Sequence, residues 1–534
     1  MPQTPFGTPI EMQPPPTASG VMTFKTVALG LVQNESPPNV PPGATPTAQN
    51  VLAREGTLEP RYRLATTPTG ATNVLGDVVL GLGEYSKTDG TRYPVAMSRS
   101  TLAYGSSGAW NAVTYGATAT IDPPSGGDVD YYDHAVIYDP AADQNILVLC
   151  NGVNQAFAWD GASATYSNQT NAPIAKTCAV FDSRVVYGNI VDAGMPLVQR
   201  ILYSERQNPS ITTAPTGGFE DLMDARGAIQ RLMADGERLL VFFEHEIWYG
   251  YKLDFPFNIT FQPLDRSVGC SAPWSVCQTP RGVFFLGDNY LPYIIPRGGG
   301  PQGVGLAAWK TLRDGIDTPE RAVAEYNPEL GEVLLAYPRA GSGRCDRGLA
   351  LNLDTGTWTP QTFATSLTRL AAAVAVGSTA TTWGNLVGSW ASQTMTWEQM
   401  GGASSGRAMY AGTSSGTVAS FTASASSDLG SLVETNYLVV MPNEDPTRKQ
   451  YVREVRLDYR SASASSLTLR LSNDFGATFQ SSVAVALPAA ATSAQTVIGV
   501  GMEAVYPCIQ FQHDAGHRFA IQRCIAQVAP TGRG

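Results

Sequence analysis

Short apolar or alternating runs, separated by turn residues, cover residues 75 to 425. Such spacing is typical of the strands of a sandwich, barrel or propeller, and long helical periodicity is nearly absent. Several runs share a loose template, in which a strand leads through a Gly or Asp turn into a run that ends on an aromatic residue. The six instances are Ser100–Tyr115, Asn145–Gly161, Arg238–Tyr251, Gly282–Pro296, Glu332–Pro360 and Arg407–Phe421. The pattern predicts an all-β fold that contains a β-propeller of about six irregular blades.

Propeller blades are packed on both faces, so their strands carry continuous apolar runs such as Leu239–Phe243. Two short helices are predicted as loop decorations, around Glu220–Ala234 and Gly305–Asp314. Three tryptophans are expected between neighbouring blades: Trp159, Trp248 and Trp358.

The two ends of the chain differ from this central part. After residue 426 the alternation is cleaner, as in Tyr451–Arg460 and Ser466–Ser472, and predicts a β-sandwich-like platform domain over 426–534. Residues 1–74 are rich in Pro, Thr, Gly and Ala, and they predict an extended N-terminal arm that joins the platform. In a ring, such an arm would order on a neighbouring subunit. The propeller is therefore assigned to 75–425.

Composition limits the function. Charged residues make up 15% of the chain, the net charge is −10 and the pI is about 5.0. Tight binding of nucleic acid depends on Lys and Arg that neutralise phosphates, so this composition argues against it. An acidic wall repels phosphate and remains compatible with the passage of double-stranded DNA.

Cysteine and histidine signal no disulfide framework, metal or cofactor. The seven cysteines are an odd number without a CxxC pair, and the four histidines are dispersed. Buried reduced thiols are expected. The chain has no apolar stretch long enough to span a membrane and no basic, then apolar, leader, which predicts synthesis in the cytoplasm without an export signal.

The sharpest short motif is SNDFGATF, which matches the Asp-box pattern found on β-hairpins of sialidases and other propeller proteins. The aspartate is expected to accept hydrogen bonds within its own turn, while the glycine supplies a backbone angle that a side chain would forbid. The predicted role is structural. The assigned residues are Ser472, Asp474, Gly476, Thr478 and Phe479.

No catalytic residue is assigned, and the chain is predicted not to be an enzyme. Glu244 and Glu246 flank His245 as a carboxylate pair, but alternating positions on one strand favour a solvated strand face with a hydrogen-bonded histidine over a catalytic pair. An acidic loop lacks the Gly and Glu that an EF-hand requires, so a polar loop entering a strand is favoured over calcium. Its residues are Asp128, Asp130 and Asp133.

The order of motifs along the chain resembles a known family. The segments are ILYSERQNP, TGGFEDL, GAIQRLMADGERLLVFFEHEIWYGY and FQPLDRSVGCSAPWSVCQTPRGVFFLGDNYLPYIIP, flanked by NVLAREGTLEPRYRL and DPTRKQYVREVRLDYR. In this order they resemble the nozzle proteins of podoviruses, also called tail tubular protein B or packaged-DNA stabilisation proteins. The resemblance is loose but spans most of the chain.

The resemblance implies a structural virion protein, made in the host bacterial cytoplasm and assembled into the phage tail. It implies a homo-oligomer, as a hexameric ring below the portal and adaptor, that retains and then conducts genomic DNA by mechanical gating. It does not identify the DNA-channel residues. Two alternatives stay open: a propeller that binds a receptor or glycan on the tail, and a glycosidase, which would need an aromatic-lined pocket with two convergent carboxylates.

Overall fold

The computed structural model describes residues 20–25, 30–32, 36–40, 44–54, 57–67, 75–116, 123–169, 171–210, 217–253, 259–376, 407–441, 443, 447–461, 463–513 and 519–533. Within these residues the regular structure is almost entirely β-strand, which confirms the predicted all-β class. The described part of the chain has one α-helix, α1, at Trp309–Gly315, and three single-turn 3-10 helices at Pro37–Asn39, Pro273–Ser275 and Pro319–Arg321. No helix in the described ranges is long and apolar enough to cross a membrane.

Much of the segment predicted as an extended arm forms strands that pair within the same chain. These are β1 (Gly20–Lys25), β2 (Gly30–Leu31), β3 (Ala44–Thr45), β4 (Ala48–Gln49), β5 (Val51–Arg54), β6 (Thr57–Pro60) and β7 (Arg63–Thr66). Its composition does not favour a core of its own. Strands β2 and β3 pair with each other, whereas β1 and β4 to β7 extend sheets whose other members come from distant parts of the sequence.

The first four propeller blades are antiparallel sheets of four consecutive strands. They are β8–β11 (Gly81–Ser86, Arg92–Met97, Leu102–Ser106, Ala109–Tyr115), β12–β15 (Asp133–Asp139, Gln144–Cys150, Phe157–Trp159, Thr165–Asn168), β16–β19 (Ile174–Phe181, Arg184–Asp192, Met195–Tyr203, Gly218–Asp221) and β20–β23 (Ile229–Asp235, Arg238–Phe243, Ile247–Lys252, Ile259–Asp265). Blades 1 and 2 also join at their outer edge, where β11 and β15 pair in parallel.

The next strands form blades 5, 6 and 7. Blade 5 is β24–β27 (Cys277–Thr279, Gly282–Leu286, Pro292–Ile295, Gln302–Gly303), and blade 6 is β28–β31 (Val323–Asn327, Glu332–Pro338, Cys345–Asn352, Trp358–Val374). Blade 7 contains β32 (Arg407–Thr413) and β33 (Val418–Thr422). The long strand β31 serves two blades, because its first half pairs with β30 and its second half with β32. Blade 7 is completed by β7, which pairs with β33 and so closes the ring with a strand from the N-terminal segment.

The described residues therefore form seven blades, one more than the six template runs. The additional sheet is blade 3, whose long strands β17 and β18 turn tightly through Ala193 and Gly194, both with positive φ. The helix predicted around Glu220–Ala234 is wrong: β20 begins at Ile229 and pairs with β21. An inner blade strand is packed from both sides, so its apolar pattern does not distinguish a strand from a helix. The helix predicted at Gly305–Asp314 is present as α1.

The three tryptophans occupy separate apolar clusters along the ring. Trp159 of blade 2 packs on Tyr85 of blade 1, with 5.2 Å between ring centroids. Trp248 lies among side chains of blades 3 and 4. Trp358 lies among side chains of blades 5 and 6, and its Nε1 donates to the Val304 carbonyl at 3.1 Å.

The second unit is a sandwich of two sheets, with strand orders β38-β35-β40-β6-β5 and β37-β36-β39-β34-β4, and β1 pairs with β40. Apolar side chains from both sheets form one core, as the cleaner alternation predicts. The strand bounds are β34 Thr435–Val440, β35 Arg448–Ser461, β36 Ser465–Ser472, β37 Ser481–Leu487, β38 Ala490–Ala504, β39 Cys508–His513 and β40 Phe519–Arg533.

A buried ion pair links the two units. The Arg61 guanidinium, 3% exposed, contacts the fully buried carboxylate of Asp428, and its Nε donates to Asn50 Oδ1 at 3.0 Å. Asp428 Oδ1 also accepts from the Leu64 backbone N–H at 3.0 Å. The Thr362 carbonyl of β31 accepts from Arg61 Nη2 at 2.6 Å. Through these contacts Arg61 connects the Asn50 edge of the platform with blade 6 at Thr362 and, through Asp428 and Leu64, with blade 7.

Candidate functional site

The Asp-box sequence forms a closed turn between β36 and β37. Ser472 Oγ donates to Asp474 Oδ1 at 2.7 Å, and the Gly476 N–H donates to Ser472 Oγ at 2.8 Å. Thr478 donates to Asp474 through both its N–H and its Oγ1, at 2.8 and 2.5 Å. These hydrogen bonds, those from Thr478 first, lower the pKa of Asp474 to about 2. The carboxylate is thus occupied within its own turn.

The remaining two residues of the motif also act locally. Gly476 has φ of +86°, a conformation that favours glycine, and a Cβ at this position would meet Leu438 at 3.1 Å. The Phe479 ring lies beneath the Arg470 guanidinium, 5.7 Å from its centroid. The geometry is that of a turn at the end of a hairpin.

The three residues considered as an acid pair with a histidine lie in the β21–β22 turn and point apart. Glu246 is fully buried, which corrects the expected solvated strand face, and its Oε1 accepts from the Arg226 N–H and from Trp248 Nε1. Glu244 accepts from Gln230 Nε2 at 3.1 Å. The His245 side chain is 62% exposed, with its Nδ1 3.3 Å from Asp288. This arrangement positions no pair of carboxylates around a substrate.

The carboxylates of the acidic loop before blade 2 do not point toward a common site either. Asp128 pairs with Arg99 and Arg344, and Asp130 accepts from the Gly127 N–H within its own loop. Asp133 is buried at the start of β12. Within the described ranges no group of three potential metal ligands occurs, and all seven cysteines are buried without forming disulfides.

A concentration of buried charge lies on the propeller axis, and sequence reasoning missed it. The inner strands of several blades meet there, and Arg231 of β20 and Arg369 of β31 approach the same indole ring. That ring belongs to Trp274, in the single helical turn before blade 5, and the guanidinium carbons lie 4.7 and 4.3 Å from its centroid. Tyr131 packs edge-on against it, at 5.6 Å between ring centroids. At this level side chains fill the axis.

Asp133 anchors one of the two arginines. Its Oδ1 is 3.0 Å from Arg231 Nη2, and its Oδ2 accepts from Thr177 Oγ1 at 2.6 Å and from the Cys178 N–H at 3.2 Å. Thr177 Oγ1 in turn accepts from the Leu232 N–H at 3.0 Å. One carboxylate thereby ties together blades 2, 3 and 4.

Among the residues that the structure describes, no carboxylate forms an ion pair with Arg369. Its Nη2 donates to the Tyr132 carbonyl at 3.2 Å, and only 5% of the residue is exposed. Burial, followed by repulsion from Arg231, lowers the pKa of Arg369 to about 10, so the group is still charged at neutral pH. The axis therefore carries two guanidinium groups beside one carboxylate that contacts them, that of Asp133.

Glu325 of β28 is a second carboxyl group near the axis. Burial raises its pKa to about 7, opposed by the Tyr326 backbone N–H and by Arg369, Arg231 and Arg407. Its folded pKa lies above the ordinary value of 4.5, so the folded state binds this proton more tightly than the unfolded chain. The resulting stabilisation is present below the unfolded pKa and is lost as pH rises through the folded pKa.

Glu325→Gln is accordingly expected to raise stability relative to the wild type at pH 8, by about 1–3 kcal/mol, with the difference vanishing near pH 4.5. Urea unfolding of both proteins across this pH range measures it. Glu59→Gln, a partly buried carboxyl in the second unit, is the control. A Glu325→Gln difference that does not change with pH would contradict the assignment.

Two pockets described in the structure have room for about one water molecule each, ≈ 10 Å³. One lies in the sandwich beside Glu59 and His513, and the other lies in blade 1 beside His134. Neither contains two facing carboxylates, and neither is as large as a sugar ring.

Comparison with known proteins finds no matching family model and no matching curated protein. Solved structures with some similarity include the extracellular domain of a protein described as a hybrid two-component system from B. thetaiotaomicron (8% identity, TM-score 0.39). This chain spans 39% of that protein's length, with 67% of its own residues covered.

Two further solved structures show the same weak similarity. They are the Pan2 WD40 domain of Neurospora crassa (5% identity, 68% of this chain and 94% of that one, TM-score 0.35) and an exo-beta-1,3-galactanase from Phanerochaete chrysosporium (11%, 87% and 100%, TM-score 0.27). At these TM-scores the likenesses carry no argument about function. The description of the blades rests on this chain's own sheets.

Proposed function

We propose that this chain is a non-enzymatic structural subunit of a bacteriophage tail, a nozzle-type protein. It forms a homo-oligomeric ring, expected to be a hexamer, on the tail axis. The ring lies below the portal and adaptor proteins, and it retains and then conducts genomic DNA. The subunit is made in the host cytoplasm and functions in the virion. The proposal is supported by the resemblance of the motif order and by one structural observation, the open side of the platform.

One side of the sandwich presents two strand edges without a partner among the described residues. Strands β37 and β38 are the last strands of their sheets and are joined by only Pro488 and Ala489, so both edges lie on the same side. Ser481–Ala504 contains a single charged residue, Glu503, and Val497 is 53% exposed. Soluble proteins commonly protect such edges with charge or proline, because an open edge pairs with other chains.

The opposite side of the sandwich is already occupied. Its edge strands β4 and β5 lie against β31 of the propeller, and Gln49 and Asn50 both donate to Thr362 Oγ1. Contact between copies is therefore favoured through the β37–β38 side. We propose that neighbouring subunits meet there, as strand pairing or close edge packing, and that repetition of this contact closes a ring.

The path of DNA follows from the packing of the propeller axis. Because Trp274, Arg231 and Arg369 fill that axis, a duplex does not pass through a single propeller at this level. The channel proposed here lies between subunits, where the net charge of −10 per chain disfavours adhesion of phosphate. Gating would then be a movement of subunits and loops without bond chemistry.

The double variant Val497→Lys/Gly499→Lys tests the platform contact. Both substitutions fit sterically, since Val497 is exposed and a Cβ at Gly499 meets nothing within 4 Å. In each subunit contact the new lysines would lie against an edge that carries almost no charge. We expect the dissociation constant of the contact to rise by about tenfold or more, which equals about 1.4 kcal/mol or more. Light scattering and negative-stain imaging of the purified protein measure this.

The matched control is Val129→Lys/Val153→Lys, which places the same charges on exposed propeller valines and is expected to leave assembly unchanged. Imaging of virions asks in addition whether the protein occupies an axial ring. A wild-type protein found at the periphery of the tail, or absent from virions, would overturn the nozzle function. Rings that persist unchanged in the Val497/Gly499 variant would overturn only the location of the contact.

A further inference from the structure

We propose that the axis of the propeller binds a small monoanion of the carboxylate class between the guanidinium groups of Arg231 and Arg369. The anion would act as a structural ligand that holds the inner strands of blades 4 and 7 together. The proposal concerns the isolated chain and does not depend on assembly or on the tail function.

The first argument is the local balance of charge. Arg231 is 9% exposed and Arg369 5% exposed, and both lie over the same ring of Trp274. Asp133 is the carboxylate in contact with this pair, and its two oxygens are engaged by Arg231 and by Thr177 with Cys178. A buried guanidinium without a counter-charge is strongly unfavourable in a medium of low polarity. An anion beside Arg369 removes that imbalance.

The second argument is hydrogen bonding. The Nε atoms of Arg231 and Arg369 are buried, and neither has a hydrogen-bond partner among the described residues. Buried donors in folded proteins are nearly always paired, so two orphaned donors on two neighbouring arginines point to an acceptor shared between them. The Nε and Nη donors of a guanidinium form a planar fork that matches the two oxygens of a carboxylate.

Glu325 does not take this role within the chain. The hydrogen bond described for its carboxylate comes from the Tyr326 backbone N–H at 3.2 Å, and neither axial arginine donates to it. Burial also raises the pKa of Glu325 to about 7. Glu325 therefore provides neither a hydrogen bond nor a permanent counter-charge to Arg369.

The surroundings limit the size of the ligand. The Trp274 and Tyr131 rings lie against the two arginines, and side chains fill the axis at this level, so a bound anion has to be as small as formate or acetate. Formate supplies the planar pair of oxygens, whereas gluconate carries the same carboxylate on a chain too long to be enclosed. The two anions thus separate specific binding from a general effect of carboxylate salts.

The test is thermal unfolding of the full chain at constant sodium concentration while gluconate is replaced by formate. The wild type is expected to show a rise in Tm that saturates with formate, because a ligand of the folded state stabilises it by mass action. Arg369→Met should lose the formate-dependent part of the shift. Arg238→Met is the control, since Arg238 is a partly buried arginine, with 12% of its side chain exposed, that pairs with Asp235 and should keep the full shift.

Arg369→Lys covers the case in which Arg369→Met does not fold. It retains the charge without the planar fork, and its formate shift should be much smaller than that of the wild type. Glu325→Gln removes the nearby competing carboxyl and should leave the shift undiminished. Equal Tm in formate and gluconate for the wild type, or a wild-type shift retained in both Arg369 variants, would overturn the proposal.

Discussion

Asp428→Ala is expected to lower the free energy of unfolding by about 3–5 kcal/mol, because it leaves the Arg61 guanidinium buried without its counter-charge. The same change removes the acceptor of the Leu64 backbone N–H. Asp314→Ala is the control, since it breaks the ion pair with Arg313, in which both side chains are about half exposed, and should change stability by about 0–1 kcal/mol. Urea unfolding followed by circular dichroism measures both.

The double variant Arg61→Met/Asp428→Ala completes a mutant cycle. If Asp428→Ala lowers stability because it leaves the Arg61 guanidinium unpaired, the double variant should be more stable than the sum of the two single changes predicts. Purely additive losses would indicate that the two residues act separately. A loss below about 1 kcal/mol for Asp428→Ala would contradict the proposed link between the arm, blade 7 and the platform.

Leu64→Ala is expected to destabilise the protein by about 2–5 kcal/mol, although the residue lies in the segment predicted as an arm. Leu64 is 1% exposed, and its strand β7 is the outermost strand of blade 7, so the substitution opens a cavity where the ring closes. Hydrogen exchange should show the largest loss of protection in β33 and β7. The shift of the urea midpoint measures the overall effect.

Leu432→Ala is the control for the same side chain in an exposed position. Leu432 is 66% exposed, and its truncation should change stability by no more than about 0.5 kcal/mol. An equal response of the two leucines would mean that β7 does not close the propeller in solution. Exchange protection lost evenly across all blades would instead indicate that the ring unfolds as one cooperative body.

The all-β class could be predicted from local pattern, because strand periodicity and turn residues are properties of short segments. The alternation in Tyr451–Arg460 predicts a strand with one face on a core. The apolar residues of that face are all buried: Val452, Val455, Leu457 and Tyr459. The Asp-box turn was likewise accessible, since its hydrogen bonds join residues within a few positions of one another. Hydrogen bonds of this kind depend on the local sequence and not on distant partners.

The tertiary structure decided what depends on distant partners. The Pro-rich start of the chain carries no core of its own, yet β7 closes the propeller and β4 to β6 complete the platform, because open sheet edges elsewhere receive them. The apolar pattern around Ile229 fits a helix and a strand equally well, and packing between blades stabilises the strand. The Arg231, Trp274 and Arg369 cluster belongs to three segments without a shared motif, so only the circular arrangement of the blades brings these side chains together.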